Sequence, residues 1–329
     1  MQRWRGVESA PSSWGRCVVT IGVFDGVHRG HQLIIGRAVE RARELGVPSV
    51  VLTFDPHPIE VVRPGSHPPM LTGTRDKAEL VEQLGVDVFL VLPFTPEVMR
   101  LTADEFVHGV LVEALHVHSV VVGENFRYGN RGAGDLSTLV ASGRRFGFTV
   151  DGVALAGDDD TTWSSTYIRS CVDAGDVTSA AGALGRDHRI EGVVVRGDQR
   201  GRELGYPTAN LEPASYSAVP ADGVYAGHLV RGGHSGRAEQ LLPAAISIGT
   251  NPTFAGRVRR VEAFVLDFAG DLYGEHVGLS FATRLRDTLR FDGIEPLKEQ
   301  MALDVERTRK LLNPATSTRD RPPAGRPGC

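Results

Sequence analysis

The most informative stretch in the first half of this chain is Gly22-Val-Phe-Asp-Gly-Val-His-Arg-Gly-His31, which lies at a predicted junction between a strand and a helix. An apolar run over 17–21 precedes it and predicts a buried strand, and a helical pattern over 32–45 follows it. Two histidines, His28 and His31, therefore stand where a strand gives way to a helix, among glycines that let a ligand approach the backbone. Helix N-termini at such positions bind phosphate through free N–H groups and the positive end of the helix dipole. The stretch predicts a nucleotide site.

Strand and helix patterns alternate through the first half of the chain. Apolar runs without polar alternation predict strands at 17–23, 49–54, 88–92, 119–122 and 148–154. Helical patterns fall between them at 32–45, 76–84, 103–115 and 136–146. This alternation predicts an α/β, Rossmann-like domain, in which right-handed crossovers place helices on both faces of a parallel sheet.

Chemically unusual motifs follow four of these strands. They occupy 24–26, 53–58, 93–95 and 123–129. The carboxyl ends of parallel strands meet at one edge of a sheet, and open α/β sheets bind ligands there, so we expect the four motifs to share one site. A chance scatter of polar residues would not select the same edge four times.

The second half has a different pattern. Short β-like runs, punctuated by glycine and proline, recur at 190–195, 223–230, 242–248, 259–268 and 276–284. Because no helical pattern of 10–15 residues intervenes, the spacing predicts a small antiparallel barrel or sandwich. A helix over 294–312 is expected to close this all-β domain.

The change of pattern divides the chain into four predicted segments. They are an N-terminal extension over 1–14, the α/β domain over 15–186, the all-β domain over 187–312 and a tail over 313–329. An Ala/Gly-rich stretch near 178–185 predicts a short helix at the joint. The tail is rich in Pro, Gly, Thr and Arg, a composition typical of disorder.

Composition and charge exclude several classes of protein. The 329 residues are 41% hydrophobic and 23% charged, as in ordinary globular proteins, and the net charge of −4 argues against a general nucleic-acid binder. Neither a membrane span nor a secretory signal is expected, because no sufficiently long apolar run occurs. Cys17, Cys171 and Cys329 are odd in number and far apart, which favours a reducing cytoplasm over a disulfide framework. No P-loop motif occurs, so any ATP chemistry is of another type.

The histidine pair allows three interpretations. His57 could complete a zinc site with His28 and His31, although no cysteine lies near them in the sequence. The imidazoles could instead only cap a helix at the surface. We favour phosphate recognition, because nucleotidyl transfer needs donors that stabilise negative charge on the attacked phosphate and on the leaving pyrophosphate.

A run of hydroxyls, Ser164-Ser165-Thr166, opens another helical pattern, and Arg169 follows one turn later. The hydroxyls, the helix N-terminus and the guanidinium together predict a second phosphate-binding site. An ordinary N-cap is the alternative for this run taken alone. We favour the phosphate-binding interpretation because the segment would face the histidines if it packs beside the fourth strand.

The second half contains its own chemical constellation. In Gly201-Arg-Glu-Leu-Gly-Tyr-Pro-Thr-Ala-Asn210, the glycines allow the backbone to wrap phosphates. Thr208 and Asn210 are two apart, so on an extended strand their oxygens share a face and could hold Mg²⁺. Glu262 stands in an apolar strand pattern, where a carboxylate is costly unless it belongs to a site, and it fits a general base for a primary hydroxyl. A hairpin with turn glycines and a strand-edge glutamate facing water are the alternatives.

The motifs of the first half resemble a known superfamily. His28-Arg-Gly-His31 with Ser164-Ser-Thr166 is similar to the HxGH and SSTxxR-type motifs of nucleotidylyltransferases. Within that superfamily, Thr53-Phe-Asp-Pro-His-Pro58 and Gly123-Glu-Asn-Phe-Arg-Tyr-Gly129 resemble the adenylyltransferase half of bifunctional riboflavin kinase/FAD synthetase of the prokaryotic type. HxGH alone indicates only the superfamily, whereas Thr-Phe-Asp-Pro-His-Pro is far narrower.

This resemblance implies roles for individual residues. It implies ATP binding by Gly22, Phe24, Asp25, Gly26, His28, His31, Asn125, Arg127, Ser164, Ser165, Thr166 and Arg169. It implies FMN binding by Phe54, Asp55, Pro56, His57 and Pro58. His28 and His31 are implied to be catalytic. Asn125 stands where many members have Asp, and an amide can still hydrogen-bond ATP.

The motifs of the second half resemble the riboflavin kinase module. These are the run over 201–210, the segment Ser247-Ile-Gly-Thr-Asn-Pro-Thr-Phe254 and the downstream Glu262, and they imply a six-stranded Greek-key barrel. The resemblance implies ATP binding by Gly197, Gly201, Arg202, Leu204, Gly205, Tyr206, Pro207, Thr208 and Asn210. It implies Mg²⁺ at Thr208 and Asn210, flavin binding by Asn251, Arg286 and Phe291, and catalysis by Glu262. Thr288 and Arg290 depart from the usual Glu and Lys, which leaves the flavin loop open.

The resemblance as a whole implies a cytoplasmic enzyme with two reactions. The second module would phosphorylate riboflavin to FMN with ATP and release ADP, and the first would adenylylate FMN to FAD and release pyrophosphate. We expect a monomer or weak self-association, with no nucleic-acid or membrane partner. The rival hypotheses are a cytidylyltransferase-like protein with an unrelated barrel, an RNA-binding barrel, and a flavin-storage protein without turnover.

Overall fold

The computed structural model describes residues 1–11, 13–158, 161–197, 201, 204–232, 239–253 and 256–313, except for the side chains at 251–253 and 256–258. Their contacts divide the chain into two compact units. The first comprises Met1–Tyr167 and Ala183–Gly185, and the second comprises Ile168–Gly182 and the residues from Arg186 onward. The tail predicted to be disordered lies outside the described residues after Asn313.

The first unit is built on a six-stranded parallel sheet. Its strands are β1 (Gln2–Arg5), β2 (Cys17–Ile21), β3 (Ser49–Asp55), β4 (Val88–Pro93), β5 (Val117–Gly123) and β6 (Thr149–Val153). They lie in the order β1-β4-β3-β2-β5-β6. The central strands are buried on both faces, since every residue of β2 is buried, as the apolar runs predicted. The α/β class and the parallel sheet are therefore confirmed.

Helices follow the strands along the sheet. They are α1 (Arg29–Leu45), α2 (Pro58–Val62), α3 (Thr74–Gln83), α4 (Pro96–Arg100), α5 (Ala103–Phe106) and α6 (Leu136–Phe146). A π-helix over Val107–Ala114 continues α5, so the single helix expected over 103–115 consists of two pieces. The short helices α2 and α4 begin where the motifs at 53–58 and 93–95 end, and five residues are too few to show a periodic pattern in the sequence.

The expected N-terminal extension contributes the edge strand of the sheet. Strand β1 runs parallel to β4, with Trp4 opposite Leu90, and Trp4 packs edge-on against Trp14 with ring centroids 4.6 Å apart. Trp4 is the one buried side chain of the four in β1. An edge strand with so little burial carries no apolar run, which is why the sequence pattern did not reveal it.

The second unit is a closed antiparallel barrel. Its strands are β9 (His188–Val195), β10 (Thr208–Pro213), β11 (Gly223–Arg231), β12 (Gln240–Thr253), β13 (Gly256–Val265) and β14 (His276–Arg286). The closed order β10-β13-β12-β11-β14-β9 confirms the six-stranded barrel that the sequence resemblance implies and excludes the sandwich. Strand β10 contains Thr208 and Asn210, which the sequence analysis treats as two positions of an extended strand, although its run is not among the predicted β-like runs. A two-stranded ribbon, β7 (Gly157–Asp158) and β8 (Thr161–Thr162), precedes this unit.

Three helices belong wholly or partly to the barrel unit. They are α7 (Ser165–Ala174), α8 (Val177–Leu184) and the closing helix α9 (Ile294–Leu312). The amide of Ala221 donates to the carbonyl of Val172 over 3.2 Å, and Val177 lies in the apolar core of the barrel. Residues 168–182 therefore pack with the barrel, upstream of the boundary predicted at 186–187.

Two candidate active sites

The turn after β2 is the centre of the first candidate site. Phe24, Gly26 and Val27 have positive φ angles of 49°, 84° and 39°. Only glycine adopts such angles without strain, so surrounding contacts must hold the two larger residues there. The carbonyl of Val23, at the entrance of the turn, accepts hydrogen bonds from Lys77 Nζ at 2.6 Å and from Thr53 Oγ1 at 3.0 Å.

The side chain of Asp25 also stabilises this turn through hydrogen bonds. Its carboxylate accepts hydrogen bonds from the amides of Leu71, at 3.0 Å to Oδ1, and Thr72, at 3.1 Å. The carbonyl of Asp25 accepts one from Ser165 Oγ at 2.8 Å. Asp25 is 2% exposed, so the geometry favours a carboxylate that shapes the turn over one that touches nucleotide directly.

The two histidines meet at the start of α1. The ring of His28 caps the helix, because its Nδ1 accepts from the amide of His31 at 3.3 Å. The rings stack with centroids 3.6 Å apart, and Phe24 packs edge-on against His31 at 5.2 Å. The helix begins at Arg29, three residues before the predicted start, because this cap closes its first turn.

Burial decides the charge of His31. Desolvation, aided by the neighbouring His28 and Lys77, holds its pKa well below the ordinary value, so the ring is neutral at pH 7. Its Nδ1 is buried with no hydrogen-bond partner in the part of the chain described. A buried nitrogen of this kind calls for a polar partner, which a nucleotide in the site would supply.

A cavity of about 330 Å³ lies over these rings. The predicted residues that line it are Gly22, Phe24, His28, His31, Asn125, Ser164, Ser165 and Thr166. The sequence analysis missed the lining residues Ile34, Phe126, Leu155 and Trp163. Apolar side chains of this kind carry no chemical signature, although Trp163 directly precedes the hydroxyl run.

Four predicted residues lie away from this cavity. Asp25 and Gly26 belong to the turn beneath it and are not among its lining residues. Arg127 forms an ion pair with Asp135 at 3.5 Å and lines a separate open cleft of about 710 Å³, which also includes Asn125. Arg169 lies on α7 in the portion assigned to the second unit.

The segment 54–58, predicted to bind FMN, ends β3 and begins α2. Phe54 packs edge-on against Phe94 at 5.5 Å, and Asp55 pairs with Arg5 at 3.5 Å. His57 caps α2 through Nδ1, and its ring lies 6.3 Å from that of His67. None of the residues 54–58 is among those lining the 330 Å³ cavity.

The zinc interpretation finds no support. Within the described ranges, no group of three or more His, Cys, Asp or Glu side chains is placed to hold a metal ion. His57 has His67 as its aromatic neighbour, whereas His28 and His31 stack on each other.

The second candidate site lies on strands β10 and β13. Their register places Asn210 opposite Glu262, and Thr208 Oγ1 donates to Glu262 Oε2 at 3.4 Å. Thr208 and Asn210 share a face, as predicted from their spacing. Gly197 is required here, because a Cβ at that position would lie 2.4 Å from Asn210 Nδ2.

A cavity of about 560 Å³ adjoins this strand pair. Of the predicted residues, Pro207, Thr208 and Asn210 line it. The loop after β13 supplies a further wall that the sequence analysis missed, namely Phe268, Ala269, Gly270, Asp271, Leu272 and Tyr273.

The glycine-rich run ahead of β10 has a fixed shape where it is described. Gly201 packs against the next turn, since a Cβ there would lie 2.4 Å from the carbonyl oxygen of Tyr206. Gly205 has a φ of 87° and follows Leu204. Tyr206 packs edge-on against Phe264 at 5.3 Å. The predicted ATP ligand Arg202 lies outside the described residues.

The predicted flavin ligands are placed unequally. Asn251 lies in β12, but its side chain is outside the described part. Phe291 is partly buried ahead of α9. The guanidinium of Arg286 binds the carboxylate of Asp304, at 3.1 and 3.0 Å from Nε and 2.6 Å from Nη2, and donates to the carbonyl of Asp287 at 2.9 Å. This geometry favours Arg286 as the link between the barrel and α9.

A parallel α/β unit with paired histidines at a strand–helix junction, followed by a barrel with a hydroxyl–carboxylate pair, defines a class of two-module ATP-dependent transferases. Residues 10–167 match the family model for FAD synthetase, and residues 184–312 match the family model for riboflavin kinase. The chain belongs to the family of bifunctional riboflavin kinase/FMN adenylyltransferases.

Individual relatives cover nearly the whole chain. The bifunctional riboflavin kinase/FMN adenylyltransferase of Pseudomonas fluorescens is 40% identical over 316 residues, which are 96% of this chain and 99% of that protein. The protein of the same description from Escherichia coli K12 is 36% identical over 90% of this chain and 93% of its own length. A solved structure described as a macrolide-efflux protein from Streptococcus pneumoniae has a TM-score of 0.84 and 31% identity, and the match covers 94% of this chain and 99% of that one.

No helix among the described residues has the length and apolar character needed to cross a membrane.

Proposed function

We propose that this chain makes FMN from riboflavin at the barrel site and FAD from FMN at the α/β site, with ATP as the donor in both reactions. The observation that carries the proposal is the pair of separate sites with different chemistry. Stacked imidazoles and hydroxyls line one cavity, and a hydroxyl–carboxylate pair adjoins the other. The family model for FAD synthetase matches the α/β half of the chain, and the family model for riboflavin kinase matches the barrel half.

At the barrel site, Glu262 orients the 5′-hydroxyl of riboflavin and accepts its proton. That oxygen attacks the γ-phosphorus of ATP, a new P–O bond forms, and the bond to the bridging oxygen breaks to release ADP. Thr208 lines the cavity and donates to Glu262 over 3.4 Å, which links the carboxylate to the site although Glu262 itself is not among the lining residues. Positioning and a base supply most of the acceleration in such transfers.

Mg²⁺ fits this site. Thr208 and Asn210 line the cavity, and their side chains carry a hydroxyl and an amide oxygen, which are hard oxygen ligands that suit the ion. When bound there, Mg²⁺ would neutralise charge on the ATP phosphates. The residues themselves fix where the phosphates lie relative to Glu262.

At the α/β site, an oxygen of the FMN phosphate attacks the α-phosphorus of ATP in line. A P–O–P bond forms, and the bond to the β-phosphate breaks to release pyrophosphate. The nucleophile is already ionised, so the site needs no base. His28 and His31 stabilise the developing charge, while the hydroxyl of Thr166 and the backbone amides at the start of α7 hold phosphate oxygens at the cavity wall. Ser165 contributes by holding the turn, since its hydroxyl donates to the carbonyl of Asp25. Arg169 serves as a further phosphate ligand in this proposal.

The flavin of the second reaction lies near the carboxyl ends of β3 and β4. Phe54 and Phe94, whose rings meet edge to face 5.5 Å apart, offer apolar aromatic surface there, within the segments at the two strand ends. The protein acts in the cytoplasm as a monomer or a weak oligomer, without a nucleic-acid or membrane partner. The two described cysteines, Cys17 and Cys171, are free and buried, which suits a reducing compartment.

One incubation tests the proposal. The protein is mixed with riboflavin, ATP and Mg²⁺, and FMN and FAD are followed by chromatography. We expect FMN to appear first and FAD to follow. Replacing ATP by CTP with FMN as acceptor separates the adenylyltransferase from a cytidylyltransferase. Flavin that stays unmodified while ATP remains unconsumed would favour storage and contradict the proposal.

A further inference from the structure

Lys77 is a buried lysine for which the proposed chemistry has no use. It lies on α3, is 2% exposed, and its ammonium donates to the carbonyl of Val23 over 2.6 Å. Burying a lysine is costly unless its charge is compensated. We therefore infer that the buried ammonium of Lys77 serves a specific function.

The carbonyl that Lys77 contacts lies at the start of the turn that positions the histidines of the α/β site. Val23 directly precedes the turn in which Phe24 and Val27 are held at positive φ, and His28 follows that turn as the cap of α1. A shift of the Val23 carbonyl would therefore pass through the turn to the ring of His28. Thr53 Oγ1 donates to the same carbonyl at 3.0 Å, so two donors from different elements fix one oxygen.

The charge of Lys77 also faces the site. Asp25 in the turn and Asp55 at the end of β3 favour its protonated form, and its charge acts on His31 at the start of α1. These groups lie in the turn, at the end of β3 and at the start of α1, and each interacts with the charge of the ammonium. Two anionic substrates would have to approach each other above this turn, and a fixed positive charge beneath it lowers their repulsion.

We propose that Lys77 is a positioning residue for adenylyl transfer, which fixes the Val23 carbonyl and thereby the turn that places His28 and His31. The proposal rests on the function proposed above. Lys77 does not touch the substrates; it acts through the backbone of the turn and through its charge.

The test compares FAD formation with FMN formation in one chain. Lys77→Met is expected to lower kcat for FAD formation roughly 100-fold, the scale of a misplaced catalytic group, with a smaller change in KM. FMN formation should stay at the wild-type rate. Arg75→Met, an exposed change on the same helix, is the matched control and should leave both reactions unchanged. Equal loss of both reactions in Lys77→Met, or no loss of either, would overturn the proposal.

A second variant guards against failure of Lys77→Met to fold. Thr53→Val is nearly isosteric and removes the other donor to the Val23 carbonyl, so it should lower FAD formation about 3- to 10-fold. Because the two donors share one acceptor, the effects in the double variant should be non-additive. Strict additivity would show that the shared carbonyl is not what the two residues hold.

The pH profile separates the charge from the packing. Burial lowers the pKa of Lys77 to about 8, against the opposing effect of Asp25 and Asp55, so the wild-type kcat for FAD formation should fall as pH rises through about 8. Lys77→Arg keeps a charged donor and should remain active above that pH, while recovering part of the loss seen in Lys77→Met. An unchanged profile in Lys77→Arg would contradict the role of the charge. A wild-type protein that forms FMN but no FAD would instead contradict the proposed function itself.

Discussion

The two candidate sites prepare their reactions in opposite ways. The α/β site is a cavity over buried, stacked imidazoles at a capped helix, and its described lining residues include no carboxylate. The barrel site is a strand pair on which Glu262 faces the hydroxyl of Thr208. An ionised phosphate nucleophile needs stabilisation of charge, whereas an alcohol needs a base. In the proposed mechanism, the chain therefore separates its two ATP reactions by placing a base at only one of the two sites.

The largest expected effect comes from removing an imidazole. His28→Ala should lower FAD formation about 100- to 1,000-fold, the usual cost of a lost donor to developing charge, and leave FMN formation intact. The two products are measured separately by chromatography.

His28 also caps α1, so a matched variant must separate the cap from the chemistry. Asn at position 28 can accept the His31 amide as the ring does. His28→Asn should therefore restore stability but not FAD formation. If His28→Asn recovered FAD formation, the result would show that His28 acts only as a helix cap and has no catalytic role.

The next effect tests the other side of the comparison. Glu262→Gln should lower riboflavin phosphorylation about 100-fold, because an amide cannot accept the proton of the hydroxyl although it can still hydrogen-bond it. Adenylylation of supplied FMN should continue at the wild-type rate. Normal phosphorylation in Glu262→Gln would remove this residue as the base and make the two sites chemically alike.

The third prediction concerns stability of the barrel unit. Arg286→Met leaves Asp304, which is 4% exposed, as a buried unpaired charge, and should destabilise this unit by about 3–5 kcal/mol. Asp304→Asn should cost less, since it removes the buried charge on the acceptor side. Urea unfolding measures both variants. A raised KM for riboflavin in Arg286→Met with normal stability would support the flavin role that the sequence resemblance implied.

The smallest effect is a pH dependence of the α/β unit. Below about pH 6.5 the unfolded state protonates His31, whereas the folded state does not, because burial holds the pKa of His31 well below its usual range. Stability should therefore be constant with respect to this group above pH 6.5 and fall as the pH decreases below it. At pH 5.5 the loss relative to His31→Asn should be about 1 kcal/mol, measured by urea unfolding. A difference that does not vary between pH 5.5 and 7.5 would show that folded His31 titrates normally.

Motifs and spacing identified several of the residues that line the two candidate cavities. Residues with a chemical signature at a strand end, such as His28, His31 and Ser165, do line one cavity. Lining residues that belong to no chemically distinctive motif could not be predicted from the sequence. Examples are Trp163 and the loop over 268–273, which reach the cavities only when the chain folds. Lys77 was missed for the same reason, since a lysine in a helical pattern is normally a surface residue.

The amino-acid sequence by itself determined the alternation of strands and helices, the motifs at the strand ends and the glycine-rich run of the barrel, because these depend on local periodicity and on residue chemistry. The tertiary structure was needed to show that β1 completes the sheet and that Arg286 binds Asp304. It also decided that Lys77 lies beneath the turn that carries the histidines. Contacts between residues far apart in sequence are selected by burial and by the pairing of polar groups, which no local pattern records.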